Sequence, residues 1–503
     1  MHKVSAAGLI AIEGLNVCSK SVATARDAEF GSTPDPREPA LAILAPAESS
    51  VFDLFEGTTR SLPQGTLLTG PHNPHNAEAI RKVFSWLRPS PLGLRTSAGF
   101  GDRLGLATPG HIRAMRSVGG DLAPIFAQQS IREMERTGRS AQQVLDDAMW
   151  DVFASGWRDG YGADADHLKT THDIDVCVSA GYTFYTFDPG DHVGHVPTGI
   201  SMPDLQARFR DLPWSELDSS PEVGLRRFSG KHVEFEDYRI AFDDRTVMRA
   251  AVKYSRALAH VQSMHTHLTA LLPEDTFEIE ISVDETDDPT SHAEHIFIAS
   301  ELRRLGVTWV SLAPRFIGQF EKGVDYIGSV DEFDVDFAVH AAIARHFGPY
   351  KLSLHSGSDK FSIYASAASS TRGCIHLKTA GTSFLEALRV VARHDPALFR
   401  RLYQLARARF ETDRASYHVS ARLDRASRAE HVADDELAGL LDQLDARQVL
   451  HVTFGSLLTG LDDASGISFG EEILTVLRAH PESYAETLQR HFHRHLGPFA
   501  HCR

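Results

Sequence analysis

YKLSLHSGSDKFSIYA, Tyr350 to Ala365, carries the reading on which the fold turns. Leu352 and Leu354 alternate with Lys351, Ser353 and His355, the period of a strand with two unlike faces. His, Ser, Gly, Ser, Asp and Lys then crowd together before an apolar run resumes. A plain turn needs a glycine and an Asp or Asn. It does not need an imidazole, a carboxylate and an ammonium within reach of one another. The stretch reads as a strand, a chemically loaded loop and the start of the next element.

Seven other segments have the same shape: TSAGFGDRLG (96–105), APIFAQQ (123–129), ADADHLKT (163–170), GYTFYTFDP (181–189), TFEIEISVDE (276–285), WVSLAPR (309–315) and CIHLKTAG (374–381). Amphipathic stretches intervene. SAQQVLDDAMWDVFASGW has Ser140 as an N-cap, HAEHIFIASELRRLG ends at Gly306 in a C′ position, and FAVHAAIARHFG and TSFLEALRVVARH behave alike. TPGHIRAM reads as a helix start with Thr108 at N-cap and Pro109 at N1. Eight strands alternating with helices predict an α/β fold, a TIM-like (β/α)8 barrel over residues 96–394, with a doubly wound open sheet as competitor. Residues 190–250 read as an insertion after the fourth strand that could carry its own small sheet. Residues 395–503 are helical in pattern and extend the barrel. Residues 41–95, with a helical run at 76–87 ended by Pro89 and Pro91, pack on it, and residues 1–40 read as an irregular arm.

The bulk numbers exclude more than they assign. With 42% apolar and 23% charged residues, the 503-residue chain has an ordinary globular composition. A formal charge of −16 argues against a nucleic-acid surface. No apolar run approaches the roughly 18 residues of a membrane span, and Glu13 interrupts the N-terminal run before it resembles a signal peptide. Cys18, Cys177, Cys374 and Cys502 are scattered without metal-binding spacing, which fits a reducing cytoplasm. No GxGxxG opens a βαβ unit, so no nicotinamide is expected.

A barrel predicts chemistry at the C-terminal strand ends, and these read GDR, QQ, DHLKT, FDP, SVDE, APR, HSGSDK and HLKTAG. Parity puts Glu278, Glu280, Ser282 and Asp284 on one face of their strand, Ser353 and His355 on another, and His376 and Lys378 on a third. Several inward charges on adjacent strands make sense around a cation and a polar substrate. Three neutral imidazoles with a carboxylate suit Zn, Mn, Co or Ni. Each residue also has a plainer reading. A lone inward His is often a hydrogen-bonded core residue, and Asp284, Glu285, Asp287 and Asp288 could form a solvated acidic loop. Lys169, Lys360 and Lys378 could lie on the surface, and Arg315 could close a turn.

SVDET (282–286), SLAPRFIGQFEKGVDYIG (311–328), YKLSLHSGSDKFSIY (350–364) and HLKTAGTSFLEALR (376–389) resemble the tagaturonate epimerase family. GFGDRLGLATPGHIRA (99–114), GADADHLKT (162–170) and RQVLHVTFG (447–455) resemble further segments of it, so the likeness runs from about residue 40 to the C-terminus. It implies a TIM-like barrel, one divalent metal and a small sugar-acid substrate. His167, His355 and His376 would be the ligands, Asp166 the proton acceptor and Glu280 the proton donor, with Asp284 in reserve. Asp166 and His167 are neighbours, so both can face inward only across a bulge or at the strand's end.

Tagaturonate and fructuronate differ at a carbinol carbon one bond beyond the position next to the ketone, where the carbonyl does not acidify the hydrogen. Two routes remain: retro-aldol cleavage with re-addition to the other aldehyde face, or two-base proton exchange at carbon. Arg315 could take the substrate carboxylate bidentately, with Lys169, Lys360 and Lys378 as further cations. Ser356 and Ser358 could hold sugar hydroxyls, and Asp102, Arg103, Gln129 and Asp359 complete the strand-end polar set. The alternative is another metal-dependent ketose epimerase or a sugar isomerase acting on neutral hexoses such as fructose and tagatose.

Overall fold

All eight strand candidates form, and they close on one another in chain order. The computed structural model describes residues 8–35, 38–286, 288–355, 359–379, 381–462 and 466–501. The strands are β1 (Ser97–Gly101), β2 (Ala123–Ser130), β3 (Gly162–Leu168), β4 (Phe184–Phe187), β5 (Glu278–Ser282), β6 (Ser311–Ala313), β7 (Lys351–Leu354) and β8 (Ile375–Lys378). Every neighbouring pair is parallel, and β8 pairs with β1 to complete the cylinder. An open doubly wound sheet would leave two edges, whereas this one has none. The apolar parity sets lie under the helices, where Ile279, Ile281, Leu352, Leu354, Ile375 and Leu377 are all buried.

Each strand is followed by a helix: α1 (Thr108–Val118), α2 (Ala141–Ser155), α3 (Thr171–Ala180), α4 (Asp244–Leu271), α5 (His292–Arg304), α6 (Val330–Phe347), α7 (Phe361–Thr371) and α8 (Thr382–His394). Ser140 caps α2 by accepting from Gln143 N, and Gln143 reaches back in a capping box. Gly306 follows the C-cap of α5 at φ 74, the left-handed C′ position its sequence predicts. The start of α1 is displaced by one residue, with Ala107 at N-cap and Thr108 already helical. Asp102 accounts for the shift, because its carboxylate accepts from the N–H groups of Leu104, Gly105 and Ala107 and so caps the turn from upstream.

The N-terminal segment corrects the expectation of an irregular arm. Ala23–Ala25, Ala28–Ser32, Ala40–Ala45, Thr58–Leu62 and Gly65–Pro71 form a five-stranded antiparallel sheet. Its small residues hid the alternation, since Ala and Gly give little contrast between faces. Phe30 packs edge-on against Phe84, whose ring meets Phe153 of α2, so the sheet leans on the barrel's flank. After β4, helices Met202–Arg210 and Pro221–Phe228 precede a hairpin, Lys231–Phe235 with Tyr238–Phe242. The C-terminal region is helical, and Pro481–Leu496 packs along α1, where His111 meets the rings of both Phe100 and Phe492. Among the described residues Cys18, Cys177 and Cys374 are free thiols, and no helix is long and apolar enough to cross a membrane.

Candidate active site

The C-terminal strand ends converge on one ammonium. Lys378, the last residue of β8, has its Nζ 2.5 Å from Asp166 Oδ1, 2.9 Å from Glu280 Oε1 and 3.1 Å from Asp164 Oδ2, and it donates to Thr186 Oγ1 at 2.6 Å. Parity explains the meeting: Asp164 and Asp166 share the inner face of β3, Glu280 that of β5 and Lys378 that of β8. Burial alone would raise Asp166 and Glu280. The neighbouring cations overturn it, His167 and Lys378 for Asp166 and Lys378 and His355 for Glu280, and hold both carboxyls below their usual range. Asp164 has burial as its largest influence and is pushed up to about 6. Lys378 is held well above its ordinary value by the three carboxylates against the pull of burial.

Above this layer sit two imidazoles whose ring centroids are 5.4 Å apart, His167 and His355. His355 Nε2 is 2.7 Å from Glu280 Oε1, and its Nδ1 is 3.2 Å from Asp284 Oδ1. Burial opposes its charge, but Asp284 and Glu280 raise it to about 9. Asp188 Oδ2 lies 3.1 Å from His167 Nδ1, and Asp166 Oδ1 lies 3.7 Å from its Nε2. The Asp166 charge and the Asp188 hydrogen bond raise His167 to about 10 despite its burial. The tension between neighbouring Asp166 and His167 is resolved by an irregularity. The β3–β4 register shifts between Ala165 and Leu168, and His167 adopts φ 51, a left-handed value that a bulge accommodates.

His376 is not brought to the other two imidazoles. It precedes Lys378 by two residues on the same face, about 6.6 Å deeper along the strand. There its Nδ1 meets Ser97 Oγ at 2.8 Å and its ring lies 5.3 Å from that of Phe184. Burial pushes it down to about 3, and its Nε2 is buried without a hydrogen-bond partner. The parity argument fixed its face correctly but not its depth.

A cavity of about 360 Å³ opens above, lined by Asp284, Glu285, Arg315, Lys322, His355 and Tyr417 among others. A narrower recess shares Lys322, His355 and Tyr417 and reaches Arg103, Asp166, His167, Lys378 and His451. Among the described residues Arg315 has no carboxylate within ion-pair distance, and burial lowers its pKa. Among the described residues its guanidinium makes one hydrogen bond, donated to the Phe316 carbonyl at 3.4 Å. Arg103 is at the site but engaged, pairing with Glu133 at 2.5 Å and stacking on Phe454 at 3.6 Å.

Other residues from the strand-end reading face elsewhere. Asp102 spends both oxygens on its own turn, as above. Gln129 turns outward and accepts from Arg139, while Gln128 is the inward residue and donates to Asp164 at 2.9 Å. The bulge in the β2–β3 pairing, between Ile125 and Ala127, upset the count. Lys169 pairs with Asp191 at 3.0 Å in an exposed position. Asp359 binds Arg447 at 2.5 Å and His495 at 3.2 Å, and Lys360 donates to the Glu321 carbonyl at 2.8 Å, so both tie the loop after β7 to the surrounding chain. Ser356 and Ser358 lie outside the described residues.

Several mouth residues escaped sequence reading. Asp164 shares parity with Asp166, and Asp188 closes FDP, so both were within reach of the strand-end rule. Tyr417, His418 and His451 come from the C-terminal region, whose helical pattern gives no hint that it roofs the barrel. Gly381, at φ 88, marks that approach: a Cβ there would lie 2.6 Å from His451 Cε1.

With this geometry in hand, likeness to known proteins becomes informative. The family model described as tagaturonate epimerase matches residues 19–498. A Thermotoga maritima protein named tagaturonate/fructuronate epimerase is 45% identical over 424 residues, covering 84% of this chain and 85% of that one. The native crystal structure of a fructuronate-tagaturonate epimerase from Cohnella laeviribosi superposes with a TM-score of 0.90 at 34% identity, covering 97% of both chains. A glycerol complex of the same protein gives 0.90 at 34% identity over 96% of each.

Proposed function

The chain belongs to the tagaturonate epimerase family and is an isomerase, and from that premise we propose that it interconverts D-tagaturonate and D-fructuronate in hexuronate breakdown. The observation that carries this reading is Arg315, a cation without a carboxylate partner among the described residues, on the wall of the mouth cavity beside the acid–base cluster. A sugar acid brings the missing carboxylate, and a neutral hexose does not. We assign the chemistry to the barrel and its loops, residues 96–394, roofed by 395–503 and flanked by 41–95.

The residues at the mouth fit one divalent ion of the Zn, Mn, Co or Ni class. His167 already has the outer hydrogen bond of a ligating imidazole, to Asp188 through Nδ1. Ligand atoms of His167, Asp188 and Glu285 fall within 4.8 Å of one another. His167 and His355 are both held protonated by surrounding carboxylates, so one divalent ion in place of two protons leaves the charge of the site unchanged. We assign His167 and His355 as its imidazole ligands. His376, the third ligand that the family resemblance implies, offers an unpartnered Nε2 from the layer below. Such an ion would supply Lewis acidity to the keto and hydroxyl oxygens of the substrate.

The protein's own groups divide the remaining work. Asp166, kept ionised by His167 and Lys378, accepts the hydroxyl proton at the epimerising carbon. Breaking the adjacent C–C bond leaves an aldehyde, which rotates and is attacked on its other face. Lys378 Nζ, 2.5 Å from Asp166 Oδ1 and 2.9 Å from Glu280 Oε1, passes a proton to Glu280 and takes up the one Asp166 holds, and Glu280 gives its proton to the alkoxide so formed. No atom is gained or lost. The C-terminal roof, with Tyr417 and His451, keeps the separated fragments from water. The test is turnover of tagaturonate in D₂O followed by NMR. Fructuronate without deuterium at the inverted carbon is the expected product. Deuterium there selects two-base exchange instead, and turnover of neutral hexoses alone selects the isomerase reading.

A further inference from the structure

Outside the barrel, between α5 and α6, a second histidine–carboxylate set converges that the epimerisation does not use. His292 opens α5, and Asp336 and His340 stand one turn apart on the same face of α6. His292 Nε2 lies 2.9 Å from Asp336 Oδ1, and His340 Nε2 lies 3.6 Å from Asp336 Oδ2. One ligand atom from each falls within 4.8 Å of the others. Bonds of about 2.0–2.1 Å to a tetrahedral ion separate its ligands by about 3.3 Å, so the spacing is that of a coordination shell.

Hydrogen bonding does not account for the cluster. His292 Nε2, Asp336 Oδ2 and His340 Nε2 are all buried without a hydrogen-bond partner, and the His340 side chain is wholly inaccessible. Buried polar atoms ordinarily find partners, and three that fail to do so while facing one another call for a common ligand. Nor does a lysine or arginine among the described residues compensate the carboxylate. Among the described residues, the only ion-pair partners of Asp336 are the two imidazoles.

The far side of His340 is arranged as a ligating imidazole needs. Its Nδ1 is 2.8 Å from His295 Nδ1, and His295 Nε2 is 2.8 Å from Tyr350 Oη. Only one proton fits between the two Nδ1 atoms. With that proton on His340, its Nε2 is left as a bare lone pair towards Asp336, the outer-shell arrangement that fixes the tautomer of a metal-bound histidine. The Thr290 carbonyl also faces His340.

We propose that His292, Asp336 and His340 bind a divalent transition-metal ion, with Zn²⁺ the best match to two imidazoles and one carboxylate, at a structural site separate from the barrel mouth. The ion would tie α6 to the segment before α5. In that segment Thr290 N donates to the Arg315 carbonyl at 2.7 Å, and Arg315 N donates to Thr290 Oγ1 at 3.0 Å. The backbone that presents Arg315 to the cavity is thereby anchored.

The test is Zn²⁺ stoichiometry and thermal unfolding of metal-stripped wild type, His292→Ala and Asp336→Asn after titration with Zn²⁺. Each variant is expected to bind one equivalent fewer than wild type, whatever number the barrel takes, and to lose part of the Zn²⁺-induced rise in Tm. His292→Ala trims a half-buried side chain at a helix start, and Asp336→Asn keeps its shape, so each controls for misfolding in the other. Equal stoichiometry in all three proteins, with unchanged circular dichroism, would overturn the proposal.

Discussion

At the barrel mouth, His167 and His355 sit among Asp166, Asp188, Glu280, Asp284 and Glu285 and are raised to about 10 and about 9. Between α5 and α6, His340 faces one carboxylate, Asp336, and both it and His295 are driven the other way, His295 to about 3. Burial opposes the charge of all four, so burial does not separate them. The surrounding count of carboxylates does. A histidine in a barrel protein can therefore be a stored positive charge in one place and a neutral donor atom in another, and the sequence letter is the same in both.

The sharpest way to break this comparison is to remove the fixed cation at the mouth. Lys378→Met keeps the length of the side chain and leaves Asp164, Asp166 and Glu280 facing one another without their common partner. Removing one member of a buried ion cluster costs about 3–5 kcal/mol. We expect a fall in Tm together with loss of turnover by three orders of magnitude or more. A variant with wild-type Tm and activity would show that the carboxylates are balanced by something other than Lys378.

His355→Ala comes next. It removes an imidazole between Glu280 and Asp284 but leaves Lys378 in position. Activity should drop about 10²–10⁴-fold and one equivalent of bound metal should be lost, with the fold retained by circular dichroism. Unchanged metal content would take His355 out of the ligand set. The same assay on His376→Ala decides whether the deeper imidazole joins the other two in solution.

The barrel was legible because its signal is local. Alternating Leu352 and Leu354, or Ile375 and Leu377, mark a face within a few residues, and capped helices separate the strands. Parity also predicted that Glu280, His355 and Lys378 point inward, and that Asp166 and His167 can both do so only across a bulge or at the strand's end. What parity lacks is depth and reach. It put His376 on the correct face without saying that this face is one layer below Lys378. It missed that Asp359 and Lys360 bond to surrounding chain rather than to the cavity, because their partners Arg447 and Glu321 are set by tertiary contacts. Tyr417 and His451 were invisible for the same reason. The antiparallel N-terminal sheet escaped because alanine-rich strands such as Ala40–Ala45 carry no hydrophobic contrast.

Arg315 sharpens the comparison from the substrate side. It is the cation at the mouth that has no carboxylate among the described residues, while Lys322 stands 3.8 Å and Arg132 3.9 Å from Glu285. A charge-assisted bidentate contact contributes about 1.5–3 kcal/mol. Arg315→Ala should therefore raise KM for tagaturonate roughly 10- to 100-fold, while any turnover of fructose or tagatose stays unchanged. A matching loss on both substrate types would make Arg315 a structural residue of the loop rather than the carboxylate's partner.

The smallest effect concerns a neutral imidazole far from any proposed metal. His111 of α1 packs against Phe100 and Phe492, with its Nε2 2.9 Å from Ser383 Oγ of α8. Burial pushes it down to about 3, against the pull of Asp102 and with the push of His491. Between about pH 3 and its ordinary 6.5, the unfolded chain binds this proton and the folded chain does not. Stability therefore rises with pH through that window and is lost as pH falls, by up to about 1.4 kcal/mol per pH unit for one such group. His111→Leu should be less stable than wild type at pH 7.5, since Ser383 loses its partner, yet should lose less on going to pH 5. Urea midpoints at the two pH values measure this directly. Parallel acid losses in both proteins would mean that His111 is not neutral in the fold, and that the count of nearby carboxylates fails to predict protonation in a second setting where a single carboxylate is at hand.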